Sequence, residues 1–178
     1  MPHPLRTLIL GGARSGKSRH AESLVLDAAG MARARPVYLA TFRPWSDAPD
    51  AEMDERLRLH QERRGDAWTT VEAPVGLPRA LEDHAGAPVL VDCLTLWLTN
   101  LLLDEADLDA AFGALDRALA ARAAPVVLVA NEVGLGLVPE TPLGRRFRDQ
   151  AGFLNQRVAA VCDRVVFIAA GLPLQLKG

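Results

Sequence analysis

Three observations predict an α/β fold in which a mainly parallel sheet lies between helical layers. Short apolar runs rich in Val, Leu and Ile alternate with longer segments of helical spacing, the order in which crossover helices connect parallel strands. Residues 89–91 and 126–130 are apolar throughout, which suits strands covered on both faces. The first run, Leu8-Ile9-Leu10, leads into Gly11-Gly12-Ala13-Arg14-Ser15-Gly16-Lys17-Ser18 and then a helical pattern. That stretch satisfies G-x-x-x-x-G-K-S in the strand, loop and helix order of a phosphate-binding P-loop. The predicted class is therefore a P-loop NTPase-type three-layer α/β fold, with residues 1–178 forming one nucleotide-binding domain.

Each element follows in order. Residues 18–29 carry Ala21, Leu24, Val25 and Ala28 at helical spacing, with Gly30 as the stop. Pro36-Val37-Tyr38-Leu39-Ala40-Thr41 reads as a second strand, parallel to the first because a helix joins them. Pro44, Ser46, Asp47 and Pro49 make 42–50 a loop at the carboxyl end of a strand, where open α/β sheets place their ligands. A helix over 51–64 follows, capped by Asp50, with Glu52 in its first turn and Gly65 at its end. Met53, Leu57, His60 and Arg64 share one of its faces. Next come a strand over 68–72, a helix over 74–85, a strand over 88–92 that ends in an acid, a buried helix over 94–103 and an amphipathic helix over 108–122. A strand over 125–130 stops at Asn131-Glu132, a Gly/Pro-rich loop spans 133–142, a helix covers 143–161, and a strand over 164–169 closes the sheet.

Composition narrows the class further. With 178 residues, 49% hydrophobic and 24% charged, the chain suits a globular domain. Such a chain buries about 70% of its unfolded surface and needs no staple. Cys93 and Cys162 both lie in apolar runs, which favours buried thiols in a reducing cytoplasm over a disulfide. The first residues lack the apolar core of a signal peptide, and no apolar stretch approaches the ~20 residues of a spanning helix. A net charge of −2 and 5% aromatic residues give no reason to expect nucleic-acid binding.

The P-loop carries the first chemistry. Gly11 and Gly16 allow backbone conformations in which successive N–H groups turn toward an anion, and the following helix adds its positive dipole end. Lys17 is placed to reach the β- and γ-phosphates and Ser18 to ligate Mg²⁺. Asp92, at the end of a strand, stands where the acid of a Walker B motif holds the same ion. Glu72 and Asn131-Glu132 also end strands, and either border this cleft or cap the turns that follow. A histidine on an apolar helix face is ordinarily a packed one, but Arg56, Arg63 and Arg64 surround His60 within a turn. Such guanidinium groups suit polyphosphate oxygens and favour the neutral, nucleophilic imidazole. The alternative is a solvated basic face. His3, His20 and His84 lack this setting and read as surface residues.

Taken together, several blocks resemble adenosylcobinamide kinase/adenosylcobinamide-phosphate guanylyltransferase. They are Gly11 to Glu22, Tyr38-Leu39-Ala40-Thr41, Glu52-Met53 to Trp68 with Arg56-Leu57-x-x-His60, Val91-Asp92-Cys93-Leu94-Thr95, Thr99-Asn100-Leu101, Asn131-Glu132-Val133-Gly134 to Val138-Pro139-Glu140, and Phe147-Arg148-Asp149-x-x-Gly152-x-x-Asn155-Gln156. The resemblance implies a bifunctional enzyme of cobalamin assembly that uses GTP, ATP and Mg²⁺. Such an enzyme phosphorylates adenosylcobinamide and then transfers GMP to adenosylcobinamide phosphate. It further implies that His60 carries GMP as a phosphoramidate, with Lys17 the other catalytic residue. The implied nucleotide contacts are Gly11, Gly12, Ala13, Arg14, Ser15, Gly16, Lys17, Ser18, Ala40, Thr41, Phe42, Gln61, Glu62, Arg63, Arg64, Glu72 and Asp92, with Ser18 and Asp92 at the metal, and the implied assembly is a homotrimer. This chain departs from the family in a longer 42–50 loop holding an extra Pro-Trp. It departs also in an apolar Leu59, which leaves His60 the only candidate nucleophile.

Two other readings use the same loop. A GTP-dependent switch requires a base-reading Asn-Lys-x-Asp segment, and Asn131-Glu132-Val133-Gly134 does not supply one. A plain ATP- or GTP-dependent small-molecule kinase uses the P-loop and leaves His60 structural.

Overall fold

The computed structural model describes residues 5–44 and 65–178. Residues 45–50 of the expected 42–50 loop and the expected helix over 51–64 lie outside the described residues, and with them Arg56, His60, Gln61, Glu62, Arg63 and Arg64.

Among the described residues seven strands form one sheet: β1 (Arg6–Gly11), β2 (Val37–Ala40), β3 (Thr69–Glu72), β4 (Val89–Asp92), β5 (Val126–Asn131), β6 (Arg164–Ala169) and β7 (Leu172–Lys177). Their order is β3-β2-β4-β5-β1-β6-β7, parallel throughout except for β7. The helices are α1 (Lys17–Ala32), α2 (Leu77–Asp83), α3 (Leu94–Leu103), α4 (Leu108–Ala120) and α5 (Pro142–Val161).

Side chains on successive strand residues face opposite ways, so each apolar strand supplies two cores. Ile9, Leu90, Val127 and Val129 face α1, where Ala21 and Val25 pack beside Tyr38 and Trp68. Leu8, Leu39, Val91 and Leu128 face α2 through α5, where Trp97, Phe112, Leu115 and Leu154 complete the larger cluster. Trp97 is fully buried, and its indole N–H donates to Val75 O at 2.8 Å. Both cysteines are buried free thiols, as the apolar runs around them require.

Four boundaries differ from expectation, each for a physical reason. Helix α1 passes through Gly30, where Ala28, Ala29, Met31 and Ala32 are favourable enough to absorb the ~1 kcal/mol that glycine costs. It stops at Arg33, at φ 50° in the left-handed region. Helix α2 begins at Leu77 instead of Pro74, because Pro74 O accepts from Asn100 Nδ2 and Val75 O from Trp97 Nε1. The third strand starts at Thr69 because a 3-10 turn, Gly65–Ala67, precedes Trp68. The sheet is not closed by β6: Ala170 and Gly171, at φ 51° and 80°, turn the chain back into antiparallel β7. That edge strand tolerates Pro173 and exposes Leu172, Leu174 and Leu176. His20, expected at the surface, is half-buried, and burial followed by the nearby Arg164 charge lowers its pKa.

Arg122 holds the end of the sheet away from the P-loop. It is only 4% exposed, and its guanidinium donates to Leu81 O at 3.1 Å, His84 O at 2.8 Å, Ala124 O at 3.3 Å and, most closely, Ala87 O. Leu81 lies in the last turn of α2 and His84, whose carbonyl also accepts from Ala87 N–H at 3.1 Å, caps it, at a helix end that carries partial negative charge. Burial lowers the pKa to about 10, which leaves the group charged at neutral pH. Arg122→Met strands these acceptors, and we expect a loss of about 3 kcal/mol in urea unfolding with an unchanged slope.

Candidate active site

Parallel strands bring their carboxyl ends to one edge, and the register fixes which residues meet there. Ala40 lies between Glu72 and Asp92, Asp92 lies beside Val129, and β5 runs two residues further to place Asn131 beside Gly11. Gly11 in turn pairs with Ile168. The P-loop and Asp92 therefore rise from β1 and β4, with β5 between them.

The loop fits its predicted task at the level of single atoms. A Cβ at Gly11 would lie 2.6 Å from Ile168 O and 2.6 Å from Ser15 Oγ, so only glycine permits this approach. Gly16, at φ 96°, leads into α1, whose first turn has neither a side-chain cap nor an acidic residue. Its N-terminal N–H groups and dipole are thus available to an anion. Ser15 N–H donates to Gly12 O at 3.3 Å, and Gly171 N–H donates to Ser15 O at 2.9 Å. Lys17 Nζ donates to Gly12 O at 3.0 Å, folded over the loop. Ser15 Oγ is buried without a hydrogen-bond partner, an orphan that an anionic oxygen would satisfy.

Asp92 is half-buried and held by the hydroxyl of buried Tyr38, which donates to Asp92 Oδ2 at 2.8 Å. Trp68 meets Tyr38 edge-on at 5.8 Å and keeps the ring in place. The backbone after Asp92 is clamped by Thr41, whose hydroxyl accepts from Cys93 N–H at 2.8 Å and donates to Cys93 O at 2.7 Å. Thr41 is fully buried, and its own carbonyl accepts from Asn100 Nδ2 at 2.8 Å. Burial above all, then the Asp92 carboxylate, pushes the Cys93 thiol up to about 11, while Lys17 lowers it slightly. Both charges therefore act at Cys93, whose thiol stays protonated at neutral pH and is no nucleophile.

Among the described residues no group of three or more His, Cys, Asp or Glu could hold a metal ion. A cation held by Ser18 and Asp92 must take most of its ligands from phosphate and water, which suits Mg²⁺. Of the other expected contacts, Ala13 and Arg14 are exposed on the loop, Phe42 is half-buried, and Glu72 is exposed at the end of edge strand β3, beyond β2 from Asp92.

Sequence reasoning gave no role to the residues that position this edge. Tyr38 and Asn100 are two of them. Thr95 Oγ1 accepts from Asn131 N–H at 2.7 Å, and Asn155 Nδ2 donates to Asn131 O at 3.3 Å. Gly171 is another, and the Leu172, Leu174, Leu176 alternation after a glycine was the available signal for its hairpin.

Fold and loop together define a P-loop NTPase-type α/β protein. A solved structure of similar fold is the flagellar accessory protein FlaH from Methanocaldococcus jannaschii, with a TM-score of 0.53 at 15% identity, covering 99% of this chain and 80% of that one. Residues 7–176 match the family described as cobinamide kinase / cobinamide phosphate guanyltransferase. The bifunctional adenosylcobalamin biosynthesis protein CobP of Pseudomonas aeruginosa is 49% identical over 178 residues, covering 98% of each chain. Those named CobU from Escherichia coli and Salmonella typhimurium are 37% and 38% identical, covering 96% of this chain and 98% of theirs. The chain belongs to the cobinamide kinase / cobinamide phosphate guanyltransferase family, and is an enzyme.

Two of the three loop glycines separate cleanly by experiment. Gly11→Ala forces its methyl against a carbonyl and should lower stability by about 1–3 kcal/mol. Gly12→Ala meets nothing within 4 Å and should leave the thermal unfolding midpoint within about 2 °C of wild type.

Proposed function

We propose that this enzyme of cobalamin assembly phosphorylates adenosylcobinamide and then transfers GMP from GTP to adenosylcobinamide phosphate, using His60 as the covalent carrier. The observation that carries the reading is the Gly11–Ser18 loop opening α1, with Asp92 on the second strand away and on the same face of the sheet. Family membership supplies the substrate class. His60 rests on the sequence alone.

In the kinase step the substrate hydroxyl oxygen attacks the γ-phosphorus, the bond to the β–γ bridging oxygen breaks, and the hydroxyl proton is released. Positioning and charge neutralisation do most of this work. Lys17 leaves Gly12 O to meet the phosphates, and the loop N–H groups take the charge that grows on the leaving oxygen. Tyr38 holds the Asp92 carboxylate and Thr41 the backbone that follows it, so that Asp92 and Ser18 would hold Mg²⁺ there. The bound ion adds Lewis-acid stabilisation of phosphoryl charge.

In the transfer step a His60 nitrogen attacks the α-phosphorus of GTP and pyrophosphate departs. A phosphate oxygen of the second substrate then displaces the imidazole, so two easier displacements replace one. A homotrimer is the assembly proposed with this function. The exposed leucines of β7 are compatible with burial between subunits.

Incubation with α-labelled GTP tests the carrier directly. Wild-type protein should retain label after denaturation, stable to alkali and lost in acid. His60→Ala should abolish the adduct and guanylyl transfer yet keep appreciable kinase activity; an adduct that persists would place the nucleophile elsewhere. Lys17→Ala should reduce both activities at least about 100-fold. Asp92→Asn should raise the Mg²⁺ concentration for half-maximal activity about tenfold.

A further inference from the structure

Two blocks of the sequence, Asn131 to Glu140 and Phe147 to Gln156, have no part in the chemistry above. The fold brings them together in one cleft, lined by Gly134, Arg148, Asp149, Gly152, Phe153 and Gln156. On α5 these residues lie away from Ala151, Leu154, Asn155 and Val158, which the helix buries against the sheet. The cleft adjoins the carboxyl edge of the sheet. Asn155 Nδ2 donates to Asn131 O at 3.3 Å, with Gln156 next along the helix, and Gly134 N–H donates to Glu132 Oε1 at 2.7 Å just beyond the end of β5. Asn131 in turn stands beside Gly11 at the root of the P-loop. A Cβ at Gly152 would meet nothing within 4 Å, so no contact within the fold requires glycine there, although only proline suits a helix interior less. The space it leaves is open to a ligand. Phe153 is 60% exposed beside it, and the chain after Gly134 exposes Leu135, Leu137 and Val138. Exposed apolar groups gathered at a cleft mark a binding face.

We propose that this cleft seats one edge of the corrin macrocycle of adenosylcobinamide, with Phe153 against its rim and Arg148 and Gln156 bonded to its carboxamide arms. The proposal rests on the substrate reading above. The polar lining selects a neutral ligand. Arg148 Nε and Nη2 both donate to Asp149 Oδ1, at 3.1 and 2.9 Å, so the charge in the cleft is paired and holds no special attraction for phosphate. Gln156 both donates and accepts, the pattern that a primary carboxamide requires. A corrin rim carries methyl groups and primary carboxamide arms, which match an apolar cleft with neutral polar groups. The cleft volume of about 260 Å³ is below that of a site enclosing a whole drug-sized ligand and suits an edge of a larger one. Position gives an independent reason. The macrocycle has to lie clear of the P-loop while its hydroxyl arm reaches the γ-phosphate, and this cleft begins where β5 ends, next to the P-loop strand.

Equilibrium dialysis of adenosylcobinamide, followed by its visible absorbance, and of the β,γ-imido analogue of GTP tests this on wild type, Gly152→Leu and Phe153→Ala. Gly152→Leu fills the cleft and should weaken adenosylcobinamide at least about tenfold, while its affinity for the analogue stays within about twofold of wild type. Its thermal unfolding midpoint should be no lower than that of wild type, because leucine favours the helix more than glycine does. Phe153→Ala removes an exposed ring and should weaken adenosylcobinamide about tenfold, again with little effect on the analogue. Wild-type affinity for adenosylcobinamide in both variants, or equal loss for corrinoid and nucleotide, overturns the assignment. A changed sedimentation mass in either variant assigns the face to contact between copies of the chain and overturns it too. Wild-type protein that binds the analogue but no adenosylcobinamide overturns instead the substrate reading beneath it.

Discussion

The functional edge depends on the distance at which the backbone of β1 passes β6 at Gly11. Where a Cβ would lie 2.6 Å from Ile168 O, the strand can turn into the P-loop only if that Cβ is missing. The turn then brings Ser15 under the β6–β7 hairpin, where Gly171 N–H takes its carbonyl. Helix α1 leaves from this fixed point, so the position of its N-terminus relative to the sheet follows from backbone contacts and not from side-chain packing.

A second set of constraints works through polar side chains. Thr41, Asn100, Thr95 and Asn155 all bond to backbone at the carboxyl edge. They stitch β2, β4 and β5 to helices α3 and α5. Hydrogen bonds of this buried kind add only about 1 kcal/mol each, yet leaving any of them unmade is expensive. Their effect is to fix where each strand ends. The apolar cores on either side hold the layers together, and these bonds set the edge on which chemistry depends.

Much of this was legible in the chain. The fully apolar runs predicted a doubly covered parallel sheet, and the loop glycines marked the strand-to-helix turn. Asp92 stood out because an acid ended an apolar run. Other features were not legible because their causes are not local. The start of α2 depends on carbonyls claimed by Trp97 and Asn100, which follow it in sequence by some twenty residues. The Tyr38 hydroxyl meets an acid 54 residues away, a pairing that only the β2–β4 register creates. Thr95 and Asn155 look like ordinary helix residues until β5 is laid beside them. The β7 hairpin did have a local signal, the alternation of leucines after Gly171. A parallel sheet, however, gives no reason to expect an antiparallel edge.

Arg122 and Arg6 differ in what accepts from them. Arg122 donates to four uncharged carbonyls, whereas Arg6 bonds the Asp163 carboxylate, whose pKa that guanidinium lowers. For a carboxyl depressed in the folded state, the stabilisation is present above its unfolded pKa and is lost as pH falls through the folded one. Arg122 has no acceptor there that acid can protonate. Acid therefore loosens the molecule unevenly: it removes the contact where β1 enters the sheet beside Asp163, while the junction of α2 with the end of α4 stays closed.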